Sequence, residues 1–167
     1  MTKPISESVL RLIDRAEARQ PLGVEASPSD WVRPTSSSGE SLYSNKNDRL
    51  NIDFSVERTV FPGAQTVDPR IIEIAPGSCN ERHKHAHESL FFVLEGRGEV
   101  LVGEDWNPVK KGDLAFVPRW IMHQTRNGSE EEPMRVLAVT DFGFTSAILG
   151  DYDRRTRLAL AGADASA

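Results

Sequence analysis

One cysteine, Cys79, and four histidines are the whole complement of soft metal-binding side chains other than methionine in this 167-residue chain. A single thiol excludes an internal disulfide. Positive charge is not in excess: 20 Lys and Arg against 25 Asp and Glu leave a net charge of −5, so no nucleic-acid partner is expected. No apolar run approaches the ~20 residues needed to cross a bilayer, and no membrane partner is expected. The first twenty residues, MTKPISESVLRLIDRAEARQ, lack the apolar stretch and cleavage site of a secretory signal. The expected location is therefore cytoplasmic. What is present is ordinary for a globular domain, with 38% hydrophobic and 27% charged residues. The length suits one domain with some extra chain at its ends.

Residues 1–22 read as an N-terminal amphipathic helix. Ile5, Val9, Leu12, Ile13 and Ala16 recur at helical spacing after Pro4, which suits a first-turn position, and Pro21 and Gly23 stop the run. Residues 23–49 carry Pro, Ser, Gly and Asn without a period and are expected to form an irregular arm, pinned by Trp31 and Tyr43. From Leu50 the pattern changes. Ile52, Phe54 and Val56 alternate with polar neighbours, and RIIEIA, SLFFVLEG, RGEVLVG, LAFVP, WIMHQTRN and MRVLAVTDF follow as further short apolar runs between turn residues. About eight or nine short strands at such spacing predict an all-β sandwich or barrel over residues 50–145. Residues 146–167 are expected to be a C-terminal extension, with a brief helix in DYDRRTRLAL or only a tail.

Three of the four histidines, His83, His85 and His87, stand at alternate positions within GSCNERHKHAHESLFFVLEG at 77–96; the fourth is His123. On a strand, residues two apart share a face, so His83 and His85 can present two imidazoles to one side. A third from a distant strand would complete an open metal site. His87 has the same parity and is a candidate for a fourth ligand or for a hydrogen-bonding support behind the ligands. Glu88 and Gln124 should face away. Phe91 and Val93 share the ligands' parity and Thr125 shares that of His123, so these three are expected to line the pocket. Trp120 is a candidate aromatic wall. Arg70 and Arg119 are candidates to bind a substrate carboxylate, because a guanidinium matches its geometry; a solvated surface cation is the plainer alternative for each. Nothing near Cys79 in the sequence would lower its pKa, and an inert thiol is expected.

The placing of glycine and proline around these histidines resembles the paired motifs of the cupin superfamily. Gly77, His83, His85 and Gly96 match the first motif, and Gly112, Pro118, His123 and Asn127 match the second. Two positions depart from it. Ser89 stands where the first motif has glutamate, and Trp120 where the second has its middle glycine. A neutral hydroxyl is a poor ligand beside imidazoles, which leaves Ser89 as an extra or supporting contact. The resemblance implies a single cupin jelly-roll β-barrel of the cupin 2 type with His83, His85 and His123 as its metal ligands. Loss of the glutamate together with Pro-Arg-Trp is similar to gentisate- and salicylate-type ring-cleaving dioxygenases, which are two-cupin chains; this one has room for one barrel.

That resemblance implies a divalent transition metal, with Fe(II) favoured and Zn, Mn or Ni as the other choices. Three neutral imidazoles leave the ion its full charge and open positions, which suits an anionic small-molecule substrate chelating through two oxygens beside dioxygen. The implied activity is a non-haem iron dioxygenase that cleaves a carbon–carbon bond in an aromatic or other chelating acid. A metal-dependent isomerase or lyase acting on a sugar or keto acid is the second reading, and a non-enzymatic small-molecule-binding cupin the third. A homodimer is expected.

Overall fold

The computed structural model describes residues 31–35, 39–61, 64 and 66–149. The helix expected over residues 1–22 and the DYDRRTRLAL segment lie outside the described residues. Nine strands are described: β1 (Glu40–Asn47), β2 (Ile52–Arg58), β3 (Asp68–Ile74), β4 (Ser89–Glu95), β5 (Arg97–Val102), β6 (Asp105–Lys110), β7 (Leu114–Val117), β8 (His123–Asn127) and β9 (Met134–Thr140). One α-helix, α1, covers Phe142–Leu149. Six strands form a sheet in the order β1-β2-β3-β9-β4-β7, and three form a second in the order β6-β5-β8. Every strand pairing is antiparallel. This is the all-β, double-sheet barrel that the strand spacing predicted.

Alternation decides which side of each strand turns inward. In β2 and β9 every second residue is buried, as expected of strands with one face on a core. Val56, Ile72, Val136 and Val93 stand side by side across four strands and fill the barrel's middle together with Phe54, Ile74, Val100 and Met134. Towards the end of the barrel where β4 begins, the inner face turns polar. Arg58, Arg70, Ala138, Phe91 and Ala115 form the next cross-strand row, and Asp68, Thr140, Ser89 and Val117 the one after. Asp68, Arg70, Ser89 and Thr140 are all buried.

Two expectations need correcting. Residues 40–47, read as part of an irregular arm, form strand β1. Its burial shows no clean alternation because it is an edge strand, held by backbone pairing to β2 and by Tyr43 packing edge-on against Phe54 at 5.6 Å. Edge pairing leaves no hydrophobic period to read. The histidine segment is the second case. Residues 80–88 are not a continuous strand; the histidine segment has isolated bridges to the second sheet, at Cys79 with Arg126 and at His83 with His123. At the β4–β5 turn, Gly96 has φ 82, and a Cβ there would lie 3.1 Å from both Met134 Cα and Pro133 O, so the turn needs glycine.

Candidate metal centre

Backbone geometry brings the distant histidine to the other two. His83 and His123 form a closed pair, with His83 N–H donating to His123 O at 3.0 Å and His123 N–H to His83 O at 2.8 Å. The Trp120 N–H donates to His85 O at 2.7 Å, which ties the second histidine to the same stretch. Ring centroids are then 4.3 Å apart for His83 and His123, 4.5 Å for His85 and His123, and 5.4 Å for His83 and His85. All three residues are buried.

The tautomers are set from behind. Nδ1 of His83 lies 2.8 Å from Glu81 O, Nδ1 of His85 lies 2.9 Å from His87 O, and Nδ1 of His123 lies 3.0 Å from Ile121 O. A carbonyl only accepts, so each Nδ1 carries the hydrogen and each neutral ring keeps its lone pair at Nε2. Such a carbonyl contact is the usual way a ligating imidazole is oriented. One ligand atom from each of the three lies within 4.8 Å of the others. Two metal–nitrogen bonds of ~2.1 Å span at most about 4.2 Å, so slight ring rotation lets one ion touch all three. The donor set fits a divalent transition metal, and no carboxylate belongs to it.

His87 does not join that group. Its ring stacks on His85 with centroids 3.5 Å apart and planes 11° from parallel, while its other side meets Phe142 edge-on at 5.6 Å. Parity predicted the same face for both histidines, but outside a regular strand parity does not hold. Ser89 is the first residue of β4 and only 2% exposed. Phe91 places its ring 6.2 Å from His123, and Val93 and Thr125 are buried, with the Thr125 N–H donating to Asn80 Oδ1 at 2.7 Å. Gln124 does face away, donating to Asn80 O at 2.8 Å. Glu88 also points outward, its side chain half exposed.

Both arginines have partners within the protein. Arg70 is no surface cation: it is buried against Asp68, donating from Nε at 3.0 Å and Nη2 at 2.6 Å, while Arg58 donates to the same carboxylate. The Arg70 guanidinium also lies over the Phe142 ring at 4.8 Å. Arg119 is partly exposed and works as a staple, reaching Ala86 O at 2.9 Å and Asp141 Oδ2 at 2.6 Å. Asp141 in turn accepts from the Glu88 N–H at 2.8 Å. Burial by itself would raise the Asp141 carboxyl, but the Arg119 guanidinium and the Glu88 N–H outweigh it and hold it below the usual range. Burial pushes the Cys79 thiol up, in keeping with an inert thiol.

Trp120 is half exposed and adopts φ 59. That left-handed conformation is one a bulky residue rarely takes, and it accounts for glycine at the matching place of the family motif. Asp68, Asn80, Asp141 and Phe142, which position the site from outside it, carried no spacing signal in the sequence.

A two-sheet barrel with three inward-facing histidines on two separate stretches is the frame of a cupin. Residues 70–140 match the cupin domain family. An uncharacterized protein of Streptomyces coelicolor is 29% identical over 93 residues, covering 56% of this chain and 80% of that one. A gentisate 1,2-dioxygenase of a Streptomyces species is 32% identical over 91 residues, 54% of this chain but only 23% of that longer enzyme. Among solved structures, a cupin-2 domain from Rhodospirillum rubrum aligns with TM-score 0.55 at 23% identity, over 66% of this chain and 77% of the other. A salicylate 1,2-dioxygenase variant from Pseudoaminobacter salicylatoxidans aligns with TM-score 0.52 at 21% identity, over 57% of this chain and 28% of the other. These two structural likenesses concern the fold.

Proposed function

We propose that this cupin is a non-haem Fe(II) dioxygenase that cleaves a carbon–carbon bond in an aromatic or other anionic substrate chelating through two oxygens. The observation that carries the reading is the donor set: three buried imidazoles, each with Nδ1 on a carbonyl, and no carboxylate among them. The sequence likeness to a gentisate dioxygenase supports it. His83, His85 and His123 would hold the ion through Nε2. A bound ferrous ion would relay electron density from the chelated substrate to dioxygen, the substrate being the net electron donor. The protein's own part is to hold and shield. The neutral imidazoles leave the ion's charge uncancelled, which favours an anion; Phe91 and the apolar middle of the barrel exclude water from one side. Arg119 and Asp141 keep the histidine loop in place. Arg70, with Nε and Nη2 on Asp68, serves to order the polar end of the barrel.

Oxygen consumption tests this reading. Protein reconstituted with Fe(II) without air, then given oxygen and a panel of hydroxybenzoates, catechols and diketones, should consume oxygen with at least one of them. No uptake, with stoichiometric zinc in the purified protein, would point instead to an isomerase or lyase. A homodimer is proposed through the outer face of β4 and β7. There Leu90 pairs with Phe116 and Phe92 with Leu114, and Leu90, Leu114 and Phe116 are exposed on the last strands of the sheet. A light-scattering mass of one chain would end the dimer reading.

A further inference from the structure

Ser89 Oγ is a buried hydroxyl with no hydrogen-bond partner among the described residues. A polar group so placed is a net cost to the folded state, and native proteins keep few of them without a reason. Its row-mate Thr140 is already used, donating to Asp68 O and accepting from the Phe142 N–H, both at 3.3 Å. Its other row-mate, Val117, offers no polar side chain. Ser89 lies on the inner face of β4, the face that carries Phe91 to within 6.2 Å of the His123 ring, so its hydroxyl looks into the barrel interior from the same face that meets His123. Charge there is one-sided. Asp68 is the one buried carboxylate among the described residues, and Arg58 and Arg70 both bind it.

We propose that Ser89 Oγ is the hydrogen-bond partner of the anion bound at the three-histidine centre, donating to a carboxylate or phenolate oxygen and so helping to select anionic ligands. This rests on the reading of His83, His85 and His123 as metal ligands. Ser89 contributes a neutral donor where a carboxylate side chain would repel the same ligand. The hydroxyl stays unpaired until the ligand arrives, which makes its contribution a binding term and not a folding term.

Salicylate titrated into cobalt(II)-loaded protein, followed by the metal's visible absorption, tests this against Ser89→Ala and Ser89→Thr. Ser89→Ala should keep the parent's cobalt stoichiometry and, free of metal and ligand, unfold at no lower temperature than the parent. It should bind salicylate about tenfold more weakly, and Ser89→Thr, which keeps the hydroxyl, should stay within about twofold of the parent. Metal-free Ser89→Ala unfolding several degrees lower would show that the hydroxyl pairs within the protein and would overturn the proposal, as would unchanged salicylate affinity. A parent that binds cobalt but no salicylate overturns this proposal alone. A parent that takes up no cobalt removes the metal reading and this proposal together.

Discussion

Asp68→Asn takes away the carboxylate that two guanidiniums share at the polar end of the barrel. Arg58 donates to it from Nε at 2.8 Å and Nη2 at 3.1 Å, and Arg70 from Nε at 3.0 Å and Nη2 at 2.6 Å. The Arg70 and Asp68 side chains are 8% and 9% exposed, so neither charge can turn to water. Removing one partner of such a buried pair costs about 3–5 kcal/mol, mostly because the other charge is stranded. The lower end of that range applies here, since asparagine keeps one acceptor and Arg58, 31% exposed, can reach solvent. A loss of about 3 kcal/mol is a large part of a domain's ~5–15 kcal/mol and should lower the melting temperature by roughly 10 °C. Adding Arg70→Met removes the stranded charge, and the double variant should regain about half of the loss. Urea and thermal unfolding followed by circular dichroism at pH 7 measure both. A loss under about 1 kcal/mol, or a double variant weaker than the single, would refute the account of Arg70 as a buried charge held by Asp68. The effect should also reach the metal centre, because Arg70 lies over Phe142, Phe142 meets His87 edge-on, and His87 stacks on His85.

Further outcomes follow from the same geometry. His123→Ala should abolish metal retention measured by elemental analysis after desalting, while strands β5 and β8 still pair through their backbones; full retention would remove His123 from the ligand set. Asp141→Asn should cost about 1 kcal/mol at neutral pH through the loss of the Arg119 ion pair, itself partly exposed. The folded-state pKa of Asp141 is depressed, so this stability is present above the ordinary carboxylate range, about pH 4, and is lost as pH falls through the lower folded value. The gap in melting temperature between parent and variant should therefore be flat from about pH 5 to 8 and close below about pH 4; a gap that widens on acidification would contradict the assignment.

The sequence alone was sufficient for the barrel and for singling out three histidines that the structure brings together. Strands β2, β3, β4, β5 and β9 announce themselves because one face of each packs on a common core, which writes a period of two into the chain. The glycine and proline landmarks around His83, His85 and His123 are local turn requirements, so they too survive as spacing, and Trp120 at φ 59 shows what backbone conformation one of those places demands. β1 left no such trace, since an edge strand is held mainly by backbone hydrogen bonds that any residue can make. Tertiary structure alone decided the rest. Strand parity put His87 beside the ligands, yet the loop turns its ring flat against His85 and out of the cluster. Arg70 could be read as a surface cation or a substrate clamp until the register of β2, β3 and β9 placed Asp68, Arg58 and Arg70 together inside the barrel. Whether a polar side chain is paired depends on neighbours distant in the chain, as Thr140 and Val117 determine for Ser89 and Asp141 for Arg119 and Glu88. Contacts of that range are set by packing and register, and a local pattern of residue types does not encode them.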